Sequence, residues 1–288
     1  MNEALLFAGV ELGGTKCIAL LGRGPGDVVA REIVPTTSPD GTLGKLGHIL
    51  AGWKSHNYAA LGIASFGPLD LASGTIAATP KHGWRDVEVR CRLEQAAGVP
   101  TALDTDVNGA ALAEMRWGSG QGMNDFAYIT VGTGVGVGLI VDGEPPRGFA
   151  HCELGHIRVA RLPGDMFGGS CPFHGDCVEG LAAGPSIEAR TGRPPDSLPD
   201  DDRAWQPVES ALAQLCHAIV CAAAPQRIAL GGGVIERRPY LLERVEGALE
   251  TSLNGFIRLP SRPYLTAPFL GADAGPLGAI ALAKGAVR

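Results

Sequence analysis

Several things are missing from this chain, and each absence removes a class of function. No stretch concentrates Lys and Arg on one face, and 24 basic against 30 acidic residues leave a formal charge of −6, which argues against a nucleic-acid partner. No apolar run is long enough for a signal core or a membrane span, since Leu5 to Leu12 stops at a glycine turn; a cytoplasmic protein without a membrane partner is expected. Neither Gly-x4-Gly-Lys-Ser/Thr nor Gly-x-Gly-x-x-Gly occurs, so the usual P-loop and dinucleotide readings lack their signature. The seven cysteines are odd in number and fit reduced thiols with one metal site better than a disulfide framework.

What is present is 288 residues with 45% hydrophobic content, enough for two ordinary domains with real cores. The 42 glycines and 21 prolines are dispersed, which implies many tight turns rather than a disordered tail. The most chemically loaded stretch runs from His151 to Gly180. Within it, Cys171, His174 and Cys177 stand at i, i+3 and i+6, with Pro172 and Gly175 between them to fold the backbone back. Two thiolates and an imidazole so spaced suit zinc, and His156, in Glu153-Leu-Gly-His156, supplies the fourth ligand. Taken singly, each of these residues reads as an ordinary thiol or a surface histidine; together they predict a closed structural site.

In chain order, Ala4 to Leu12, a Gly13-Gly14-Thr15 turn and Cys17 to Leu21 predict a hairpin with Gly-Gly-Thr-Lys16 at its tip. A strand over Val28 to Val34, a helix over Asp40 to Ser55 and a buried strand over Ala59 to Ser65 follow. A loop with Thr79-Pro-Lys-His-Gly-Trp84 leads to a short helix at Val89 to Ala97 and a strand at Thr101 to Leu103. Asp104-Thr-Asp106-Val-Asn108 then opens a helix from about Gly109 to Trp117. Phe126 to Val131, Gly132-Thr133-Gly134 and Val135 to Val141 repeat the opening strand, turn and strand. A device used twice predicts two similar α/β domains, each with one phosphate-facing turn, and a cleft between them. After the Cys/His loop come a helix near Ser186, an exposed loop over Thr191 to Pro207 with a solvated Asp200-Asp-Asp202 run, a helix over Val208 to Ala224 and a strand over Arg227 to Leu230. Gly231-Gly232-Gly233 then opens a helix as a nucleotide-contacting turn, and a helix over Ala272 to Lys284 closes the chain. Either hairpin turn alone needs glycine for steric reasons; the pair can point backbone N–H groups, with the Thr15 and Thr133 hydroxyls, at phosphate.

Glu11-Leu-Gly-Gly-Thr-Lys16, Asp106-Val-Asn-Gly-Ala-Ala-Leu-Ala-Glu114, Thr130-Val-Gly-Thr-Gly-Val-Gly-Val-Gly138, Glu153-Leu-Gly-His156, the Cys/His loop, Gly231-Gly-Gly233 and Ala274-Gly-Pro-Leu-Gly-Ala279 together resemble the ROK family of sugar kinases, within the actin-like ATPase superfamily. The likeness covers nearly the whole chain. Its Cys-Pro-Phe-His-Gly-Asp-Cys-Val-Glu-Gly form and the Thr-Pro-Lys-His-Gly-Trp loop most resemble the fructokinase branch, and no helix-turn-helix extension precedes residue 4, which disfavours the repressor branch.

The resemblance implies an α/β protein with two actin-like ATPase (RNase H-like) domains and an ATP/sugar cleft between them. Residues 1–117 would form the first domain and 118–273 the larger second, with the helix at 274–288 packing back on the first. It implies ATP, Mg²⁺ and structural Zn²⁺, a homodimer, and phosphoryl transfer to the 6-hydroxyl of D-fructose. Asp106 would be the general base, although an Asp opening a helix is by itself more often a cap. Thr105, Asn108, Glu153, His156 and Glu179 would contact sugar, although an isolated Glu is more often solvated. Gly13, Gly14, Thr15, Lys16, Gly132, Thr133, Gly134 and Gly231 to Gly233 would hold ATP, and His156, Cys171, His174 and Cys177 zinc. Three departures stand out: Glu11 where many relatives have Asp, which bears on Mg²⁺; Thr105 where many have Asn; and His174 where most have Cys. The rival readings are a glucose, mannose or N-acetylmannosamine kinase, a catalytically silent sugar sensor, and a zinc-ribbon interaction module.

Overall fold

A computed structural model describes residues 5–79 and 81–287, so Ala4 of the opening run and Pro80 of the Thr79 to Trp84 loop lie outside the described residues. The chain divides into two compact units. One comprises Met1–Gly122, Pro145–His151 and Ala272–Arg288, the other Met123–Glu144 and Cys152–Gly271. The division thus falls a few residues later than Trp117, and the segment at 145–151 belongs with the first unit.

The first unit opens with strands β1 (Phe7–Leu12), β2 (Lys16–Gly24) and β3 (Asp27–Pro35), then helix α1 (Pro39–Gly52), strand β4 (Leu61–Ser65) and a two-residue ribbon, β5 (Leu69–Asp70) with β6 (Thr75–Ile76). Helix α2 (Val89–Ala97), strand β7 (Thr101–Thr105) and helix α3 (Asp106–Trp117) complete its first pass. The sheet order is β3-β2-β1-β4-β7. β1 runs antiparallel to β2 but parallel to β4, and β4 is parallel to β7. β1 and β4 are buried almost throughout, as parallel strands covered on both faces must be, which is why they read as apolar runs rather than as an alternation. Leu43, Leu46 and Leu50 of α1 and Leu93 of α2 join Val10, Ile63 and Trp84 in one core.

The second unit repeats the device. Strands β8 (Phe126–Val131) and β9 (Val135–Ile140) form an antiparallel hairpin, helices α4 (Val178–Ala182), α5 (Gly184–Thr191) and α6 (Trp205–Ala223) follow, and β10 (Arg227–Gly231) pairs parallel to β8. Helices α7 (Gly233–Glu236) and α8 (Tyr240–Leu253) and strand β11 (Leu265–Thr266) complete it, giving the order β11-β10-β8-β9. That is the β7-β4-β1-β2 arrangement of the first sheet again, without a counterpart of β3. Leu212 and Leu215 of α6 pack with Val245 and Leu249 of α8 in this unit's core. Among the described residues no helix is long and apolar enough to cross a membrane.

Helix α9 (Ala274–Gly285) returns to the first unit and lies on β1, β4 and α3. Its approach to α3 is set by glycine on both sides, since a Cβ on Gly278 would stand 2.4 Å from the carbonyl carbon of Gly109.

Two sequence expectations are corrected. Helix α3 begins at Asp106, not Gly109, because Thr105 is its N-cap and its hydroxyl accepts the Asn108 N–H at 3.2 Å. The Thr191 to Pro207 stretch is no bare loop: Leu198 and Trp205 are buried, Trp205 already lies in α6, and Asp202 accepts the Ala204 N–H and pairs with Arg193.

Candidate functional site

In an open α/β sheet, ligands gather at the carboxyl ends of parallel strands. β1, β4 and β7 are parallel, so the ends of all three, with Glu11, Ser65 and Thr105, lie along one edge of the first sheet. The Gly13 to Lys16 turn and the start of α3 leave from that edge. Glu11, half-buried at the end of β1, has its carboxyl pushed up from the ordinary 4.5 to about 7 by burial and then by the neighbouring Asp106 charge. Asp106 is the first residue of α3, and its Oδ1 accepts the Val107 N–H at 2.9 Å. Since Thr105 fills the capping role, the Asp106 carboxylate is not needed as the cap.

Behind them lies a carboxylate that the sequence did not mark as functional. Asp104 is fully buried, and its Oδ1 accepts the Thr105 N–H at 2.7 Å and the Asn108 side-chain amide at 2.8 Å, while Oδ2 accepts Arg147 Nη2 at 2.8 Å. Arg147 arrives on the 145–151 segment, and the buried His151 of that segment accepts the Leu69 N–H at Nε2, 2.9 Å away. An Asp-x-x-x-Asn spacing at a strand-to-helix junction was the only local signal for Asp104.

The first turn is tied back by its carbonyls: Gly13 O accepts the Thr36 hydroxyl at 2.7 Å, Lys16 O accepts the Gly13 N–H at 3.1 Å, and Gly14 O accepts the Lys81 ammonium. Thr15 and Lys16 are exposed.

In the second unit, the parallel pair β8 and β10 brings the Gly132 to Gly134 turn and Gly231 to Gly233 to one edge. Gly232 has φ +88° and a Cβ there would stand 2.5 Å from Val131 N, so no other residue fits against the end of β8. Gly132 O accepts the Gly184 N–H at 2.8 Å, and Thr133 stays exposed. Glu179 reaches the same turn, where its Oε2 accepts the Val135 N–H at 3.1 Å, and its Oε1 lies 4.0 Å from His156 Nδ1.

The Cys/His loop closes on itself through two backbone bonds between Cys171 and Gly175. Cys177 caps α4, and its Sγ accepts the Gly180 N–H at 3.4 Å. His156 ends a short turn after the exposed Glu153. That turn lies so close to β9 that a Cβ on Gly155 would stand 1.8 Å from Val135 O. His156 Nδ1 is 3.6 Å from both Cys171 and Cys177 Sγ, His174 Nδ1 is 3.6 Å from Cys171 Sγ, and all four donor atoms lie within 4.8 Å of one another. The nitrogen-to-sulfur edge of a tetrahedral zinc site with ordinary bond lengths is about 3.6 Å. The donor set therefore fits a closed zinc site. Without an ion, burial pushes the Cys177 thiol up to about 11; a coordinated thiolate gives up that proton.

Of the residues singled out in the sequence, the first unit gathers Glu11, Gly13, Gly14, Thr15, Lys16, Thr105, Asp106 and Asn108. The second gathers Gly132 to Gly134, Glu179, Gly231 to Gly233 and the four metal-ligand candidates.

The model of the ROK family matches residues 7–286. The chain belongs to the ROK family. Among ROK relatives it is 38% identical to the fructokinase of Zymomonas mobilis, covering 99% of this chain and 98% of that one, and 37% identical to the fructokinase of Pediococcus pentosaceus, covering 99% of each. Its structure resembles that of a ROK family glucokinase from Streptomyces griseus in complex with glucose and AMPPNP, with a TM-score of 0.74 at 26% identity over 97% of this chain and 99% of the other. The repeated hairpin-led sheets are thus the actin-like ATPase fold of ROK kinases, and the chain is a sugar kinase that uses ATP.

Proposed function

We propose that this kinase is an ATP-dependent fructokinase, moving the γ-phosphoryl group of ATP to the 6-hydroxyl of D-fructose. The observation that carries the choice of sugar is the full-length identity of 37–38% to two fructokinases, against 26% to the glucokinase.

In the proposed step, Asp106 accepts the proton of the 6-hydroxyl while that oxygen attacks the γ-phosphorus. Asp104 orients the Asn108 amide toward the sugar, and Thr105 serves the helix as cap. Glu153, His156 and Glu179 pair with sugar hydroxyls; His156 turns Nδ1 to the thiols, which leaves Nε2 for a hydroxyl. The N–H groups of the two hairpin turns, the Thr15 and Thr133 hydroxyls, Lys16 and Gly231 to Gly233 hold the nucleotide. Glu11, a hard oxygen donor whose proton is held only by burial and a like charge, would hold Mg²⁺, which supplies charge neutralisation on the triphosphate. Zinc on His156, Cys171, His174 and Cys177 would supply rigidity to the loop that carries Glu179, not chemistry. A cytoplasmic homodimer completes the proposal, and seven free cysteines suit a reducing compartment.

The test is a coupled ADP-release assay over fructose, glucose, mannose, glucosamine and N-acetylmannosamine. Fructose should give the highest kcat/KM, with phosphate only on the 6-hydroxyl. An equal or higher value for glucose would overturn the fructokinase assignment and leave the kinase standing.

A further inference from the structure

The Gly13 to Lys16 turn spends all its carbonyls on internal donors. Thr36 Oγ1 donates to Gly13 O, Thr36 N to Thr15 O and Gly13 N to Lys16 O, and Lys81 Nζ donates to Gly14 O. The N–H groups of Gly14 and Thr15 donate to no group among the described residues. The space beside Gly14 is open, with nothing within 4 Å of where a Cβ would stand. Oxygens tied back and N–H groups left over make a turn poised for an anion.

Lys81 is the unexplained part. Its loop is anchored from below: Trp84 is fully buried, its Nε1 donates to Thr37 O at 3.0 Å, and its ring meets Phe66 edge to face at 5.3 Å. Thr79 Oγ1 accepts the Lys81 backbone N–H at 3.3 Å. That anchoring delivers an ammonium to the first hairpin turn, yet among the described residues Lys81 has no carboxylate within ion-pair distance, only the neutral Gly14 carbonyl. A cation held on a neutral acceptor exchanges it readily for an anionic one, because an opposite full charge adds Coulombic attraction to the hydrogen bond.

We propose that Lys81 is a second catalytic cation beside Lys16: with nucleotide bound, its ammonium leaves Gly14 O and takes the equatorial oxygens of the γ-phosphoryl group. This rests on the kinase reading. The bond from the sugar oxygen to the γ-phosphorus forms as the bond from that phosphorus to the bridging oxygen breaks. The bridging electron pair leaves with ADP, and the hydroxyl proton goes to Asp106. Lys81 neither gives nor takes a proton; its charge is matched to the equatorial oxygens over which the transition state spreads its charge.

The experiment compares binding of Mg·AMPPNP and Mg·ADP, by calorimetry, to the wild-type protein, Lys81→Met and Lys81→Arg. Only AMPPNP presents a γ-phosphoryl group. Lys81→Met should lose about tenfold in AMPPNP affinity and keep ADP affinity within about twofold, while Lys81→Arg keeps most of both. In turnover, Lys81→Met should lower kcat on the order of 10²-fold and move the fructose KM by about twofold or less. Equal weakening of the two nucleotides, or weakening of neither, overturns the proposal, the first result marking a loop that only shapes the site. Should Lys81→Met fail to fold, Lys81→Gln is read in the same way. Absence of fructose turnover in the wild type would sink the fructokinase reading instead, and the binding comparison does not depend on it.

Discussion

Asp104 accepts the Asn108 side-chain amide at 2.8 Å while wholly out of contact with solvent. A buried carboxylate is retained only with partners that satisfy its charge, and here two are donors at the start of α3 and the third is Arg147. The pair ties the Asn108 amide, for which sugar contact is proposed, to the strand that leads into α3.

Asp104→Ala should therefore cost stability and recognition together. Three donors lose their acceptor in one stroke, and the expected loss is on the order of 2–4 kcal/mol, discounted for the half-exposed Arg147. Denaturant unfolding reads the stability, and a raised fructose KM reads the freed Asn108. An Ala variant that unfolds at the wild-type midpoint removes Asp104 from this role.

Asp106→Asn should abolish turnover without abolishing sugar binding, since the amide keeps the shape and the bond to Val107 but cannot take a proton. The expected fall in kcat is about 10²–10⁴-fold. Calorimetric fructose affinity close to wild type, beside that loss, separates a missing base from a broken pocket; near-normal turnover excludes Asp106 as the base.

Purified protein should carry one zinc per chain by elemental analysis. Cys171→Ser and Cys177→Ser should each lose it, and chelation should weaken fructose binding through the loop bearing Glu179. Full metal content in both serine variants would refute the ligand set while leaving zinc itself in play.

Glu11 sets a pH dependence with a definite sign. Its folded value of about 7 lies above the ordinary 4.5, so the fold holds a proton that the unfolded chain releases. That contribution to stability is complete below pH 4.5 and is lost as pH rises through 7. If Glu11 holds Mg²⁺ as proposed, binding of Mg·nucleotide should release close to one proton near pH 6, measured by calorimetry in buffers of different ionisation enthalpy. Glu11→Gln should erase both effects; an unchanged proton count in that variant would assign the titration elsewhere.

Local signals carried the reading where contacts are local. α2 over Val89 to Ala97 and β8 over Phe126 to Val131 are set by apolar runs and glycine turns and have the expected limits, while the opening hairpin has β1 at Phe7–Leu12 and a longer β2 at Lys16–Gly24. The repeat of the hairpin was visible, but the sheet order was not, because β4 and β10 join their sheets through pairings far apart in sequence. The Cys/His cluster was legible because three of its four members share seven residues. Lys81 and Asp104 were not, since their partners Gly14 and Arg147 lie 67 and 43 positions away. The Thr191 to Pro207 stretch misled for the same reason: Arg238 stacks on Trp205 at 4.3 Å and donates to Pro195 O and Leu198 O, and polar composition hides such a clamp.

Helix α9 gives the order of synthesis a meaning. It covers β1 and β4 and buttresses α3, yet it lies at 274–285, so a ribosome making this chain releases the helix that bears Asp106 long before the helix that holds it in place. The second unit's two segments end at Gly271 and can assemble first, whereas the first unit waits for α9. A chain stopped before α9 would keep the Cys/His loop of the second unit whole and leave α3, with Asp106, without the helix that packs on it.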